Sequence, residues 1–513
     1  MRKKIDKVDF VFMGGASLLA LALRLIPGAR LIDDAYITYR YAANLIGGHG
    51  LVYNPGEAVL GTTTPLYALI LAAIGGLAQT TALPVISPIL NALFDAVGIA
   101  ALYAVTRKLL NHRVPALAAA VLWACSPQSI TFAVGGMETS LSISLLFLTV
   151  AAYVYRKYQL TAVGLALSVL TRPDALIWAG PLGLGLCIVK WVEARNEHWS
   201  KRLPLSEGAT FLAIVVPWIV FATIVYGSPV PHSISAKAVA YALPPEQGLI
   251  AMVQHFSTPF MEFTLFGPVG AIAGFVIYIP LSAIGGLFLY TIDKRTLPIA
   301  LYPWVFAGVF TAANPLIFRW YTAAALAIFI LCLVSGVWGL AHRLSSKFAP
   351  KALTVVTLVW LGIAFSSWHM HPDHGPDRPA PDMAWYKLEL LYRQAAEIVK
   401  PQLRDNSVVA AADIGAVGWF TGAKILDTLG LISPEATQYY PLDAEQIAGA
   451  AYAISTDLVI DQKPDYIIFL EIYGRNTLLK DARFTDLYRL FMKLETEIYE
   501  SDGMLIYERI TGD

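Results

Sequence analysis

Residues 31–65 read LIDDAYITYRYAANLIGGHGLVYNPGEAVLGTTTP and follow the first apolar segment of the chain. Asp33 and Asp34 stand where a chain leaving a bilayer would meet water. Tyr36–Ile46 has the pattern of a short amphipathic helix, which we expect to lie with its aromatic and apolar residues against the membrane surface. The glycine-rich loop that follows permits tight turns that bring backbone groups close to a ligand. We therefore expect this segment to carry the chemistry.

The composition is that of a polytopic membrane protein. Of 513 residues, 57% are hydrophobic and only 14% are charged, and the mean hydropathy is +0.58, values outside the soluble range. The formal net charge is zero, which argues against a nucleic-acid partner. Cys125, Cys187 and Cys332 lie in separate apolar runs, so we expect neither a disulfide framework nor a zinc site.

Apolar length and the distribution of Lys and Arg predict about eleven transmembrane helices. The predicted spans are Val8–Pro27, Ile86–Leu109, Val114–Ala133, Thr139–Tyr155, Leu160–Thr171, Ala175–Val192, Ala209–Tyr226, Phe263–Thr291, Pro298–Ala313, Ile317–Ala341 and Ala352–Trp368. The first is expected to be retained, because it lacks a small-residue signal-peptide cleavage site. A cytoplasmic N-terminus places the basic connections inside and the C-terminal part outside the plasma membrane. Thr64–Ala78 is too short to cross, so we expect it to lie on or dip into the outer leaflet.

The chain is predicted to divide into three parts. Residues 1–368 form a membrane domain with an extracytoplasmic loop at 31–65, residues 369–382 a linker, and residues 383–513 a soluble α/β domain. The elements predicted for this C-terminal domain are helices Met383–Lys400, Ala444–Leu458 and Phe484–Leu494, strands Ser407–Ala412, Ile425–Thr428 and Tyr466–Leu470, and a hairpin of Glu495–Glu500 with Met504–Arg509. The linker histidines His369, His371 and His374 are expected to be solvated rather than metal-bound.

Acidic and basic residues collect in the predicted outward-facing connections. Besides Asp33 and Asp34, these connections contain Glu138 in GGMETS, Arg172 and Asp174 in TRPD, His232 and Lys237 in YGSPVPHSISAK, and Arg319 in NPLIFRWY. We expect them to converge on one membrane face. Asp95 lies inside a predicted span, where an acid requires a partner. Arg172 is the partner we expect.

The ordered segments DDAYITYRYAANLIGGHGLVYNPGE, GMETSL, TRPD, YGSPVPHSISAK and FRWY resemble the polytopic GT-C glycosyltransferases. The resemblance is to polyprenyl-phosphate-dependent arabinofuranosyltransferases of actinobacteria and, more distantly, to protein O-mannosyltransferases and lipid A aminoarabinose transferases. The stretch ADIGAVGWFTGAKILDTLGLISPE resembles the extracytoplasmic tail domain of that group. The resemblance implies an inverting hexosyl- or pentosyltransferase, with a polyprenyl-phosphate sugar as donor and a hydroxyl of a glycan, lipid or protein as acceptor, working in the lipid bilayer.

Such a transfer needs a carboxylate to take the acceptor proton and cations to stabilise the departing phosphate. The resemblance favours Asp33 over Asp34 as the base, with Glu138 as a further acid. The predicted phosphate-binding residues are Arg319, Lys237 and Arg172, and the predicted substrate-positioning residues are His49, Tyr36 and His232. No cofactor is certain; a divalent metal ion, if present, would lie between Asp34 and Glu138.

Plainer interpretations remain open at several positions. The two aspartates suit a helix N-cap with a solvated neighbour, Arg172 and Asp174 suit a structural ion pair, and His49 suits a turn. The whole chain would also suit a transporter or lipid flippase, although a transporter needs polar groups near the membrane midplane. An inactive scaffold is a third reading. For the C-terminal domain, carbohydrate recognition by Trp419, Phe420, Tyr439 and Tyr440 is the hypothesis.

Overall fold

The structure is a computed structural model that describes residues 5–195, 202–241, 245–261, 267–313, 317–370 and 375–510. Within these ranges, eight helices are long and apolar enough to cross a membrane. They are Lys7–Leu25, Leu83–Leu110, Pro173–Glu193, Leu205–Tyr226, Gly267–Ile292, Lys294–Ala313, Arg319–Leu344 and Ala349–Ser366. Each corresponds to one of the predicted spans. We call residues 7–366 the helical bundle.

The other three predicted spans differ from long straight helices. Helices Arg113–Ala124 and Pro127–Val134 are bent by 47° at the break between them, where a proline that lacks an N–H begins the second helix. Thr139–Val154 and Tyr158–Thr171 have 16 and 14 residues. The described residues therefore contain eight candidate spans, or nine if the bent pair is one span, and the predicted number of about eleven is not confirmed. The short Thr64–Ala78 segment forms the 13-residue helix Pro65–Leu77.

Among the described residues, the bundle also contains the shorter helices Asp33–Ile46, His232–Ala240 and Pro245–Ser257. The expectation that Tyr36–Ile46 lies against the membrane surface is wrong. Every residue from Ala35 to Ala42 is buried within the protein, and the Tyr36 and Tyr39 rings pack against Trp419 at 6.3 and 6.0 Å. The apolar face of this helix covers the C-terminal domain instead of lipid.

Two buried ion pairs fix the first helix within the bundle. Arg24 Nε donates to Asp95 Oδ2 at 2.6 Å, so the expected pairing of Asp95 with Arg172 is wrong. The charge partner of this intramembrane acid is therefore an arginine of the first helix. Near the other end of the same helix, Arg107 Nε lies 3.0 Å from Asp9 Oδ1. The N-terminal segment and the basic connection after Leu110 therefore lie at the same end of the bundle.

The C-terminal part is built on β-structure. Its strands are β1 Trp368–His369, β2 Ala380–Pro381, β3 Val408–Ala411, β4 Lys424–Asp427, β5 Tyr466–Leu470, β6 Tyr488–Leu494 and β7 Met504–Arg509. Strands β1 and β2 pair antiparallel, and the larger sheet has the order β4-β3-β5-β7-β6. Strand β3 is parallel to both β4 and β5, while β7 is antiparallel to β5 and β6. Its longer described helices are Lys387–Val399, Gly415–Thr421 and Thr456–Gln462.

Three predicted elements of this domain are wrong. The predicted helix Ala444–Leu458 ends at Ile447 and a second helix begins at Thr456, because Gly449 at φ +88° leaves helical geometry between them. The predicted helix Phe484–Leu494 is helical only to Leu487, after which Tyr488–Leu494 is an edge strand paired with β7. The hairpin partner of β7 is thus β6 rather than Glu495–Glu500.

Of the three linker histidines, His369 contacts Asp382. His371 and His374 lie outside the described residues.

Candidate active site

A cavity of about 570 Å³ lies at one end of the helical bundle, and Leu431 of the C-terminal domain also lines it. Its charged lining residues are Asp34, Glu138, Arg172, Asp174 and Lys237. These residues come from the starts, ends and connections of different helices, so loops distant in sequence meet at one end of the bundle. Hydroxyl and aromatic groups complete the lining, including Thr38, Thr62, Thr64, Tyr241, Trp320 and Tyr321.

The two adjacent aspartates face different partners. Asp33 Oδ2 accepts a hydrogen bond from the Gly415 N–H at 2.8 Å, and Asp33 Oδ1 accepts one from the Ala416 N–H at 2.7 Å. Neighbouring residues on a helix point about 100° apart, and Asp34 faces the cavity. Because both oxygens of Asp33 are already hydrogen-bonded to the C-terminal domain, the preference for Asp33 as base does not fit this geometry. Asp34 is the better candidate.

Arg172 is held by two carboxylates. Its Nη1 donates to Glu138 Oε1 at 2.7 Å, and its Nε and Nη2 donate to the two oxygens of Asp174 at 2.9 Å. Its guanidinium also lies over the Tyr321 ring, 5.3 Å from the centroid. A guanidinium forked onto one carboxylate and bound to another is largely neutralised. This geometry favours the structural interpretation of Arg172 and Asp174, with Glu138 as part of the same network.

Lys237 is bound less closely by its neighbours than Arg172 is. Its Nζ donates to Tyr321 Oη at 3.4 Å and lies 4.0 Å from Asp34 Oδ2. The Phe318 ring centroid is 5.4 Å away. Burial by itself would lower the pKa of Lys237, but Tyr321 and Asp34 outweigh it and the pKa is raised. A charged ammonium group therefore faces the cavity across from Asp34.

The remaining predicted site residues lie outside the cavity lining. His49 is exposed in the turn after the Asp33–Ile46 helix, as its plainer interpretation predicts, and Arg319 is exposed at the start of its helix. Tyr36 is buried against Trp419 and Phe420. His232 Nδ1 lies 2.9 Å from the Gly430 carbonyl oxygen. Tyr36 and His232 thus contact the C-terminal domain rather than the cavity.

Sequence reasoning missed the residues that join the 31–65 segment to the C-terminal domain. Arg40 Nη1 donates to the Gly418 carbonyl at 2.6 Å, Tyr53 Oη donates to the Ile414 carbonyl at 2.6 Å, and Asn54 Nδ2 donates to the Ile425 carbonyl at 2.9 Å. The available signal was an arginine within an otherwise apolar helical stretch with no acid three or four residues away, which indicates a distant partner.

Two further acids reach this region from the C-terminal domain. Asp413 Oδ2 accepts a hydrogen bond from Tyr392 Oη at 2.5 Å, and Glu389 Oε1 accepts one from the Asp33 N–H at 3.4 Å. Burial raises the pKa of Asp413 to about 6 and that of Glu389 to about 8. Burial and the charge of Asp413 also raise the pKa of Asp33. Asp413 lies two residues after the end of β3. Ligands often bind at this end of the strands in parallel sheets.

A metal centre does not fit the side chains of the described residues. Within the described ranges, no three His, Cys, Asp or Glu side chains are arranged to hold a metal ion. Asp34 and Glu138 both line the cavity, but Glu138 is hydrogen-bonded to Arg172.

The aromatic residues expected to bind carbohydrate do not share one open face. Trp419 and Phe420 pack against Tyr36 at the domain contact. Tyr440 is buried and donates to the Thr428 carbonyl, while Tyr439 donates to Asp461. The first pair serves to join the domains.

Comparison with solved structures finds the same fold. ArnT from Cupriavidus metallidurans bound to undecaprenyl phosphate matches with a TM-score of 0.56 and 10% identity, over 99% of each chain. The oligosaccharyltransferase AglB from Archaeoglobus fulgidus, in complex with an inhibitory peptide and a dolichol-phosphate, matches with a TM-score of 0.54 and 13% identity, over 92% of this chain and 72% of AglB. At these identities, the likenesses show that the chain shares the fold of these two proteins. A family described as a domain of unknown function (DUF8728) matches residues 383–507. No curated protein sequence matches the chain.

Proposed function

We propose that this chain is an inverting glycosyltransferase that moves a sugar from a polyprenyl-phosphate donor to a hydroxyl acceptor, with Asp34 as general base. One observation carries the proposal. Asp34 and Lys237, 4.0 Å apart at Oδ2 and Nζ, face one cavity at the end of a bundle with the GT-C fold. The solved proteins of that fold include structures with undecaprenyl phosphate and with a dolichol-phosphate.

The two groups suit the two charges that the reaction creates. The Asp34 carboxylate takes the proton of the acceptor hydroxyl as its oxygen attacks the anomeric carbon. The bond from that carbon to the donor phosphate oxygen breaks on the opposite face, and its electron pair leaves with the polyprenyl phosphate. Lys237 stabilises the negative charge that develops on this phosphate. A single displacement inverts the anomeric carbon.

The other predicted roles are ranked by geometry. Lys237 is the first candidate for the donor phosphate, because its nearest carboxylate is farther away than those that hold Arg172. Arg172 and Glu138 are proposed to fix the shape of the cavity. Arg319, at the start of its helix, is proposed to attract the phosphate from outside the cavity. The donor sugar is proposed to be a pentose or a hexose.

The placement of polar groups favours transfer over transport. A transporter requires a polar site near the membrane midplane with access from both sides. Here the charged cavity residues stand at helix ends and connections beside the C-terminal domain. We propose a plasma-membrane location with a cytoplasmic N-terminus and an extracytoplasmic C-terminal domain, supported by the basic connections.

A donor panel tests this function. Purified protein in nanodiscs is supplied with polyprenyl-phosphate pentoses and hexoses, with hydroxyl acceptors of the glycan, lipid and peptide classes. We expect one donor to be consumed, with inversion at the anomeric carbon. Retention of configuration, or no consumption of any donor by folded protein, would contradict the proposal.

A further inference from the structure

Three buried threonine hydroxyls form a cluster on one wall of the cavity. Thr38, Thr62 and Thr64 all line the cavity, and their exposed fractions are 5%, 3% and 4%. Thr38 Oγ1 and Thr64 Oγ1 lie 3.2 Å apart, and Thr62 Oγ1 lies 3.2 Å from Thr64 Oγ1. The Thr64 N–H also donates to Thr62 Oγ1 at 3.2 Å. We call these three residues the threonine cluster.

The threonine cluster lies beside the candidate base. Thr38 follows Asp34 by four residues in the helix Asp33–Ile46. Residues at this spacing are neighbours on one face of a helix, with Cβ atoms about 5–6 Å apart, and both side chains line the cavity. A ligand group bound by Thr38 therefore lies about one helical turn from the Asp34 carboxylate.

The backbone that leads into the cluster is held by both domains. The Leu60 carbonyl accepts a hydrogen bond from the His232 N–H at 2.7 Å, and the Gly61 N–H donates to Tyr41 Oη at 2.8 Å. A Cβ at Gly61 would lie only 2.9 Å from the Leu431 carbonyl oxygen of the C-terminal domain. Because this backbone is bonded and closely packed, the hydroxyls that follow it are positioned before a ligand binds.

The contacts within the threonine cluster do not use its full capacity for hydrogen bonds. Each threonine hydroxyl can donate one hydrogen bond and accept two. The two contacts between hydroxyls use two of the three O–H groups, which leaves one O–H group and several oxygen lone pairs for a ligand. A sugar hydroxyl both donates and accepts, so it matches this remaining set. A phosphate carries charge and is matched better by the ammonium group of Lys237.

We propose that the threonine cluster binds hydroxyls of the donor sugar and thereby selects which sugar is transferred. The inference rests on the proposed function, in which Lys237 binds the donor phosphate. The sugar is bonded directly to that phosphate, so it must lie in the same cavity of about 570 Å³. The phosphate is then held at Lys237, and the sugar hydroxyls are held on the wall that also carries Asp34.

Binding measurements on Thr38→Val separate recognition of the sugar from recognition of the phosphate. Valine keeps the shape of the side chain and removes the hydroxyl. The ligands are undecaprenyl phosphate and its pentosyl and hexosyl esters, and the protein is in nanodiscs. We expect the wild type to bind one ester more tightly than undecaprenyl phosphate. Thr38→Val should bind that ester about threefold to tenfold more weakly, the usual worth of a neutral hydrogen bond, with unchanged affinity for undecaprenyl phosphate.

Two further variants serve as controls for this measurement. Thr38→Ser keeps the hydroxyl and should bind the ester like the wild type. Thr354→Val makes the same change at an exposed position of the helix Ala349–Ser366 and should change neither affinity.

A second measurement does not depend on the folding of a variant. The wild type is given forms of the preferred ester in which one sugar hydroxyl at a time is replaced by hydrogen. Loss of the hydroxyl that the cluster binds should weaken binding to the wild type by about threefold to tenfold. The same loss should have less than about a twofold effect in Thr38→Val, because the two changes remove one interaction.

Three results would overturn the inference. They are equal losses of affinity for undecaprenyl phosphate and its ester in Thr38→Val, wild-type binding that does not depend on any sugar hydroxyl, and a change confined to the KM of the acceptor. None of the binding measurements needs turnover. If the wild type prefers one ester but transfers no sugar, the proposed function fails while the sugar-binding role of the cluster stands.

Discussion

Asp33 Oδ2 accepts a 2.8 Å hydrogen bond from the backbone N–H of Gly415. The first of two adjacent acids is thereby bound to the first turn of a helix in the C-terminal domain, where unpaired N–H groups accept a carboxylate well. The second acid, Asp34, faces the cavity. The pair therefore divides into an acid that joins two domains and an acid that is available for chemistry.

Replacing Asp33 by Ala should weaken the attachment of the C-terminal domain. Both hydrogen bonds to the Gly415–Thr421 helix would be lost, at a cost of about 1–3 kcal/mol for buried N–H groups left unpaired. The measurement is thermal unfolding together with limited proteolysis between the bundle and the domain. Asp405→Ala is the control. Unchanged melting and unchanged protection in Asp33→Ala would refute the joining role.

Gly418→Ala should disturb the same contact from the other side. A Cβ there would overlap Tyr53 Oη and lie 2.8 Å from Arg40 Nη1, and such overpacking typically costs about 1–3 kcal/mol. Gly76→Ala, whose Cβ would meet nothing within 4 Å, serves as the matched control and should be neutral or slightly stabilising. Equal melting temperatures for both variants would mean that Gly418 is not closely packed against Tyr53 and Arg40.

Lys237→Met should weaken the binding of undecaprenyl phosphate by roughly 10-fold to 100-fold, the usual worth of a hydrogen bond to a charged group. The thioether retains the apolar stem beside Phe318 but carries no charge. Affinity is measured in nanodiscs, with Lys400→Met, an exposed lysine of the C-terminal domain, as control. Wild-type affinity in Lys237→Met would assign the phosphate to another cation.

Glu389 should make the stability of the protein depend on pH. Burial raises its pKa from the ordinary 4.5 to about 8 in the folded state, so folding favours the protonated form. Its contribution is complete below pH 4.5 and is lost as the pH rises through 8. The melting temperature of the wild type should therefore fall relative to that of Glu389→Gln across this interval. Glu397→Gln, an exposed position on the same helix, should follow the wild type; parallel curves for all three proteins would contradict the assignment.

Much of the bundle could be predicted from the sequence, because long apolar segments form helices almost independently of their neighbours. Eight predicted spans correspond to long apolar helices. The sequence also predicts spans at Thr139–Tyr155 and Leu160–Thr171, where the helices have only 16 and 14 residues, because composition does not report where an apolar helix stops. Ile447 and Leu487 end helices earlier than predicted, because a left-handed glycine and a strand partner outweigh helical periodicity.

The sequence also pointed to the residue types of the candidate site but not to their partners. Glu138, Arg172 and Lys237 do meet Asp34 at one cavity. Which aspartate faces it depends on Gly415, nearly four hundred residues away, and no local pattern contains that information. Asp413 is not predicted for the same reason: the hydrogen bonds of Asp33 to Gly415 and Ala416, which bring it to this region, are a tertiary property.

Comparison of Asp34→Asn with Asp33→Asn tests the central claim most directly. Sugar transfer is measured at saturating donor, together with the melting temperature of each variant. The account predicts that Asp34→Asn loses at least about 100-fold in kcat, as expected for removal of a general base, while it melts like the wild type. Asp33→Asn should lose stability and retain more of its kcat. Full activity in Asp34→Asn, or a well-folded but inactive Asp33→Asn, would contradict the assignment of Asp34 as the base.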